Sequence, residues 1–299
     1  MSKHYSNLLA FFILFFIIYA CSSDSSEDDL SSLPPNEVGP QYIKENDSII
    51  DFLKNHFYNY EDFQNLSPSA QIELKIDSIT GDNSNKIALF EQVTTKSIDI
   101  LDENDEIVSH NLYYIITRPG VGENPTVADS VFVSYKGILL DNTIFDERQN
   151  PVWLDQTSVV RGFQEFTPIL KKGNVTINNN GTYSFENFGS GIVIFPSKLG
   201  YYERTVSSIP RYSPLIFQIN LKTLNKTDHD SDGVDTIDED LNKDNIFGND
   251  DTDSDGIPNY YDTDDDGDGI LTKYELDSDN DGNVDDTDQD GIPDYLDSE

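Results

Sequence analysis

The residues that most often carry catalytic chemistry are scarce in this sequence. One cysteine, Cys21, serves all 299 residues, so the chain can form neither an internal disulfide nor a thiolate metal cluster. Its four histidines, His4, His56, His110 and His229, are far apart. No HExxH helix, GxSxG elbow or glycine-rich phosphate loop is present, which argues against zinc hydrolysis, triad catalysis and nucleotide binding. Basic residues are few as well, with 19 Lys and Arg against 56 Asp and Glu and a net charge of -37. Nucleic acids are held by Lys and Arg that displace condensed counterions; no nucleic-acid partner is expected. Nor does any apolar run reach bilayer length: Leu8 to Ala20 is unbroken but stops after 13 residues, where a spanning helix needs about 20. At 36% hydrophobic residues, a single packed core cannot fill the whole length.

What is present is divided unevenly along the chain. Residues 228–299 hold 28 Asp and Glu against two lysines, Lys243 and Lys273. The acidity is mostly a property of this tail. At the other end, Lys3 and His4 precede the apolar run, the layout of a signal peptide over residues 1–20. Cys21 follows at once, after Ile18-Tyr19-Ala20. This resembles a bacterial lipoprotein lipobox, although Tyr19 is bulkier than the small residue usual there. The resemblance implies lipidation of Cys21 and attachment to a membrane, each buried methylene contributing about 0.8 kcal/mol. Residues 21–40, rich in Ser, Asp and Glu and carrying Pro34-Pro35, read as a solvated tether. Within it, Asp24 and Glu27-Asp28-Asp29 resemble the acidic signal that sends some lipoproteins to the outer face of an outer membrane. A bacterial outer-membrane lipoprotein, periplasmic or on the cell surface, is therefore expected.

Residues 41–111 read as a helical and β region. Ile43, Ile49, Ile50, Phe52, Leu53 and Phe57 recur at mostly helical spacing, with Asn46 or Asp47 as the expected cap. Alternation then sets in, as in Ile72-Glu73-Leu74-Lys75-Ile76 and Leu112-Tyr113-Tyr114-Ile115-Ile116, and predicts strands.

Three blocks between residues 112 and 224 carry the most specific pattern. The first is the alternating strand Val131 to Leu139, the turn Asp141-Asn142 and then Phe145-Asp146. The second is Val159-Val160-Arg161-Gly162-Phe163; the third is Phe195 to Tyr201, leading to Ile209-Pro210 and Leu215 to Leu221. In this order the blocks resemble the FKBP-type peptidyl-prolyl cis-trans isomerases, whose first block reads VxYxGxLxDGxxFD. The resemblance implies an α+β fold, an antiparallel sheet curved around a short helix, here near Gln164 to Leu170. It also implies a pocket walled by Tyr135, Phe145, Val159, Val160, Phe163, Tyr201, Ile209 and Phe217. Asp146 and the Tyr201 hydroxyl would be polar contacts there, and the Val160 N–H would meet a substrate carbonyl. No cofactor is implied for catalysis. Five features depart from the pattern or are ambiguous in it. Asn142 takes the turn position usually held by Gly, and Phe163 stands where Trp is usual. Tyr202 occupies a common Gly position. A polar insertion at 173–191 reads as an extra hairpin, with a substrate-contacting flap as one role for it. Val152 or Trp153 is expected to supply the remaining wall.

The tail repeats a DxDxDG unit at Asp228/Asp230/Asp232, Asp251/Asp253/Asp255, Asp264/Asp266/Asp268, Asp277/Asp279/Asp281 and Asp286/Asp288/Asp290. A degenerate copy stands at Asp240/Asn242/Asp244. Each third acid is followed by Gly, and the twelfth positions are Glu239, Asp262, Glu275, Asp288 and Asp297. That is the spacing by which a loop wraps one hard cation with carboxylate oxygens, and loop size favours Ca²⁺ over Mg²⁺. Asp264 to Glu275 resembles an EF-hand loop, and the others thrombospondin type 3 repeats. With few apolar residues, this segment is expected to lack a hydrophobic core and to be ordered by structural Ca²⁺ as a stalk. Together the parts predict an isomerase acting on X-Pro bonds in exported polypeptides. The alternative is a non-catalytic lipoprotein that binds proline-containing segments or mediates adhesion.

Overall fold

The computed structural model describes residues 35–298. The signal segment, Cys21 and residues 21–34 of the tether lie outside the described residues, and residues 38–40, expected to belong to the tether, are already helical. Among the described residues, no helix is long and apolar enough to cross a membrane.

Helix α1 spans Val38–Asn55 and buries Ile49, Phe52 and Leu53. It begins eight residues before the expected cap at Asn46. The start is set by tertiary contacts: the Val38 N–H donates to Glu103 Oε2 at 3.2 Å, and buried Gln41 donates to Glu45 at 2.5 Å. Periodicity of apolar residues misses this turn because, Val38 apart, the side chains it buries are the polar Gln41 and Glu45. Strand β1 (His56–Tyr58) follows and pairs with β2 (Ile76–Ser78). The strand expected from Ile72 starts only at Ile76. Upstream, the Gln218 side chain takes the place of a neighbouring strand, accepting from the Leu74 N–H at 2.9 Å and donating to the Ile72 carbonyl at 2.6 Å.

Six strands form the central antiparallel sheet: β3 (Thr94–Leu101), β4 (Ile107–Arg118), β5 (Ser130–Leu139), β6 (Ile144–Asp155), β9 (Gly189–Phe195) and β10 (Leu215–Asn225), in the order β3-β4-β9-β10-β5-β6. The sheet thus starts at Thr94, ahead of the three sequence blocks. Helix α2 (Arg161–Phe166), extended by a 3₁₀ turn Thr167–Ile169, covers one face. Phe163, Phe166 and Leu170 pack there on Leu112, Val133, Val193, Phe217 and Ile219. On the other face, α1 sets Ile49, Phe52 and Leu53 against Tyr113, Ile138, Ile192, Ile194 and Ile216. Covering both faces explains why β9 is buried along its whole length. The predicted short helix is present, shifted three residues toward the N-terminus.

The 173–191 insertion forms the expected hairpin, β7 (Asn174–Ile177) with β8 (Tyr183–Glu186). It does not reach toward a cleft as a flap. Phe185 instead rests on Phe132, ring centroids 5.5 Å apart, and Phe132 meets Trp153 at 5.1 Å.

Beyond β10 the chain winds through the acidic loops, all but the one from Asp277 carrying a single turn: 3₁₀ at Thr236–Glu239, Phe247–Asn249, Asn259–Tyr261 and Asp294–Leu296, and a one-turn helix α3 at Thr272–Glu275. Loop glycines such as Gly233 (φ +108°) and Gly256 (φ +97°) sit in the left-handed region, where a Cβ would be strained. Their N–H groups close the loop on its first carboxylate, Gly233 to Asp228 at 3.2 Å and Gly256 to Asp251 at 3.1 Å. The expected stalk without a core is corrected here, because the first part of the tail folds back on the sheet domain. Phe247 is buried against Val127 and Ala128, flanked by Ile237 and Tyr260. His229 Nε2 meets Asp155 Oδ2 at 3.0 Å, and Arg161 donates to the Asp244 carbonyl at 2.9 Å.

Candidate functional site

A cleft of about 690 Å³ opens between α2 and the β5/β6/β10 end of the sheet, and Tyr135, Phe145, Asp146, Val159, Val160, Phe163, Tyr201, Ile209 and Phe217 all line it. Phe163 and Phe217 form its floor, 2% and 5% exposed. Their rings meet edge to face at 5.5 Å, Phe145 meets Phe217 in the same way at 5.3 Å, and Tyr135 meets Phe163 at 6.0 Å. Edge-to-face contact sets positive ring edges on negative faces and holds the four rings in fixed orientation. Gly137 is required by the same packing, since a Cβ there would lie 2.5 Å from the Phe145 ring.

The polar part of the wall is a short chain of bonds. The Tyr135 hydroxyl donates to Asp146 Oδ2 at 2.6 Å, and Asp146 Oδ1 lies 3.3 Å from the Arg148 guanidinium. Burial, and then the bond to Asp146, push the Tyr135 phenol well above its usual range; it stays a neutral donor. At the opposite rim, Val160 caps α2 in extended conformation, and its carbonyl accepts from Phe163 and Gln164. Its own N–H has no acceptor among the described residues and is available to a carbonyl in the cleft.

Comparison with known proteins decides the family of this region. Residues 122–222 match the family model described as FKBP-type peptidyl-prolyl cis-trans isomerase. These residues form an FKBP-type domain. Two relatives are the FKBP-type peptidyl-prolyl cis-trans isomerases FkpA of Aeromonas hydrophila, 27% identical over 170 residues (55% of this chain, 58% of that one), and of Buchnera aphidicola, 35% identical over 117 residues (38% and 40%). The chain thus spans about half the length of the curated relatives it matches. The crystal structure of FkpA from Escherichia coli is 21% identical with a TM-score of 0.35, covering 62% of this chain and 63% of that one. A second family model, described as BamM C-terminal, matches residues 229–283, inside the acidic repeats.

Several residues that shape the FKBP-type cleft were not legible in the sequence. The remaining wall comes from Leu154, not from Val152 or Trp153; Trp153 points outward and is 47% exposed. Arg161 also lines the rim, where its guanidinium bonds Glu165 at 3.0 Å and the tail at Asp244. Buried Glu45 on α1 holds the turn that leads to Tyr201, accepting from the Ser197 N–H at 2.6 Å and the Ser197 hydroxyl at 2.7 Å. Tyr202, at the common Gly position, has φ +50°. It takes the left-handed conformation that Gly adopts without penalty.

In the tail, the loop register brings carboxylates together as spaced. Oxygens of Asp228, Asp230 and Asp232, of Asp251, Asp253 and Asp255, and of Asp264, Asp266 and Asp268 each lie within 4.8 Å of one another. Asp277 and Asp279 meet Asp285, a residue outside the register. Asp281 accepts from the Asn283 N–H, while Asp286, Asp288 and Asp290 hold their own loop by bonds to Gly291, Asp290 and Ile292. Of the twelfth-position acids, Glu275 is pushed up to about 7 by burial and then by Asp266, Asp268 and Asp264. Asp262 is raised by burial, with Asp255 and Asp253 adding to it. Buried oxygens of Asp230, Asp251, Asp264, Asp266, Glu275 and Asp286 have no hydrogen-bond partner among the described residues. All-oxygen donor sets of this kind suit a hard divalent cation.

Proposed function

We propose that this chain is a peptidyl-prolyl cis-trans isomerase that turns X-Pro bonds in exported polypeptides. The reading is carried by the convergence of the aromatic wall, Tyr135, Phe145, Phe163, Tyr201 and Phe217, on one cleft. Rotation about a peptide bond faces a barrier of about 18–20 kcal/mol from amide resonance, whereas the two X-Pro isomers differ by only about 0.5–1 kcal/mol. Twisting removes the resonance, so the carbonyl loses negative charge and the nitrogen regains its lone pair. The transition state is less polar than the ground state. An apolar cleft that grips the proline ring between Phe145, Phe217 and Ile209 favours it selectively. The free Val160 N–H would hold the substrate carbonyl, and the Tyr135–Asp146 bond would keep the wall in place.

The full reading adds a lipid anchor at Cys21, an outer-membrane location and structural Ca²⁺ in the repeats. The unpartnered, buried carboxylate oxygens of the tail support the calcium part. Lipobox spacing supports the anchor. One observation favours the alternative, a binding module without turnover: Phe163 gives a smaller and wholly apolar floor than the usual Trp.

A protease-free isomerisation assay on the full chain tests the proposal. Catalysis above the uncatalysed rate is expected, with kcat/KM reduced roughly tenfold in Asp146→Ala, the loss of about 1.4 kcal/mol of transition-state stabilisation, and a nearly native melting temperature. Binding of proline-containing peptides with no acceleration would replace the enzyme by the binding module.

A further inference from the structure

Counting the degenerate copy from Asp240 as the second of six loops, the regular ones repeat a local pairing between their second and ninth positions. His229 Nδ1 meets Thr236 Oγ1 at 2.8 Å, Asn259 donates to Thr252 Oγ1 at 2.9 Å, Ser278 donates to Asp285, and Thr287 donates to Asp294 at 2.7 Å. The fourth loop breaks the rule. Its second position is Asp265, and only the Asp265 backbone N–H reaches Thr272, at 3.2 Å. The Asp265 carboxylate is thereby left out of the local pairing and lies instead with Asp232 and Glu239 of the first loop, one oxygen from each within 4.8 Å of the others.

These three acids are the most deeply buried carboxylates of the tail, Asp232 and Glu239 at 2% and Asp265 at 1% exposure. Both oxygens of Glu239, both of Asp265 and Oδ2 of Asp232 have no hydrogen-bond partner among the described residues. No Lys or Arg among the described residues forms an ion pair with any of them. Three converging anions withdrawn from water and left unpaired are strongly unfavourable, and burial together with mutual repulsion raises Glu239 to about 9 and Asp265 to about 8. A divalent cation reverses that cost.

We propose that Asp265 completes a cross-loop cation site with Asp232 and Glu239, at which one Ca²⁺ clasps the fourth loop to the first. The proposal rests on the calcium reading of the repeats but adds a ligand outside their register. It makes the ion a tie between distant parts of the tail rather than the filling of one loop.

Calcium titration calorimetry on the chelator-stripped full chain tests it. The parent is compared with Asp265→Asn and with Asp265→Thr, the latter giving the fourth loop a hydroxyl like those of its neighbours and so preserving local folding. Loss of one ion, or weakening of one class of site by at least about tenfold, is expected in both, and Glu239→Gln should weaken the same class. Unchanged stoichiometry and affinity in both Asp265 variants would overturn the cross-loop site while leaving calcium in the loops. A parent that takes up no Ca²⁺ would overturn the calcium reading together with it.

Discussion

Phe163 shows how much a single side chain decides in this cleft. It touches Phe217 and Tyr135 edge to face and is almost wholly enclosed, so its size sets the depth of the cleft. Phe163→Trp should keep or raise kcat/KM in the same isomerisation assay, by adding ring surface at the floor; a clear fall in turnover with an unchanged melting temperature would show that the smaller floor is the adapted one. Lys222 poses a different question. Its ammonium sits 3.1 Å from the centroid of the Phe188 ring and donates to Gln71 at 2.9 Å. Burial, with a further contribution from Arg118, lowers it from 10.5 to about 7. Between those values the unfolded chain holds a proton that the folded chain has released, so stability rises with pH across this window, and the penalty is complete below about 7. Lys222→Met should therefore raise the melting temperature at pH 7 and lose that advantage progressively toward pH 10, as read by thermal denaturation of both proteins. A difference independent of pH would assign the effect to packing alone.

Strand β5, strand β10 and the rings they carry were legible because alternation and aromatic order survive in one dimension. The helix α1 start, the segment at Ile72 and the turn before Tyr201 were not, because polar side chains fix them across the fold. Gln218 binds the backbone at Ile72 and Leu74, and Glu45 binds Ser197 from α1; neither leaves a periodic trace. The repeats gave their loop register by spacing, yet Asp285 entered a cluster from the ninth position of its own loop and Asp265 from another loop, the latter because contacts between loops depend on how the loops stack. Leu154 rather than Trp153 at the wall reflects β6 register, with Val131 opposite Leu154 and Phe132 opposite Trp153; a one-residue step changes the face. Glu45 allows a direct test of positioning by an element outside the cleft. Glu45→Ala should leave the Ser197 N–H unpaired, cost about 1–3 kcal/mol and raise KM more than it lowers kcat, as measured by denaturant titration and steady-state kinetics. Unaltered KM at reduced stability would restrict Glu45 to holding the fold.

At the scale of the whole molecule, Cys21→Ser should shift the protein from the membrane fraction to the soluble fraction or leave an unprocessed precursor, as read by fractionation and intact mass. A variant processed and fractionated like the parent would remove the anchor from the account. The docking of Phe247 on Val127 and Ala128, beside the Arg161 bond to Asp244, has a thermodynamic sequel. Domain and repeats share buried surface, so they unfold as linked partners, and a ligand held only by the folded repeats adds RT ln(1 + [L]/Kd) to the pair. Under the calcium reading proposed above, ambient calcium would set how long the cleft survives heat, and a chain cut after Asn225 would carry a bare apolar patch and no such dependence.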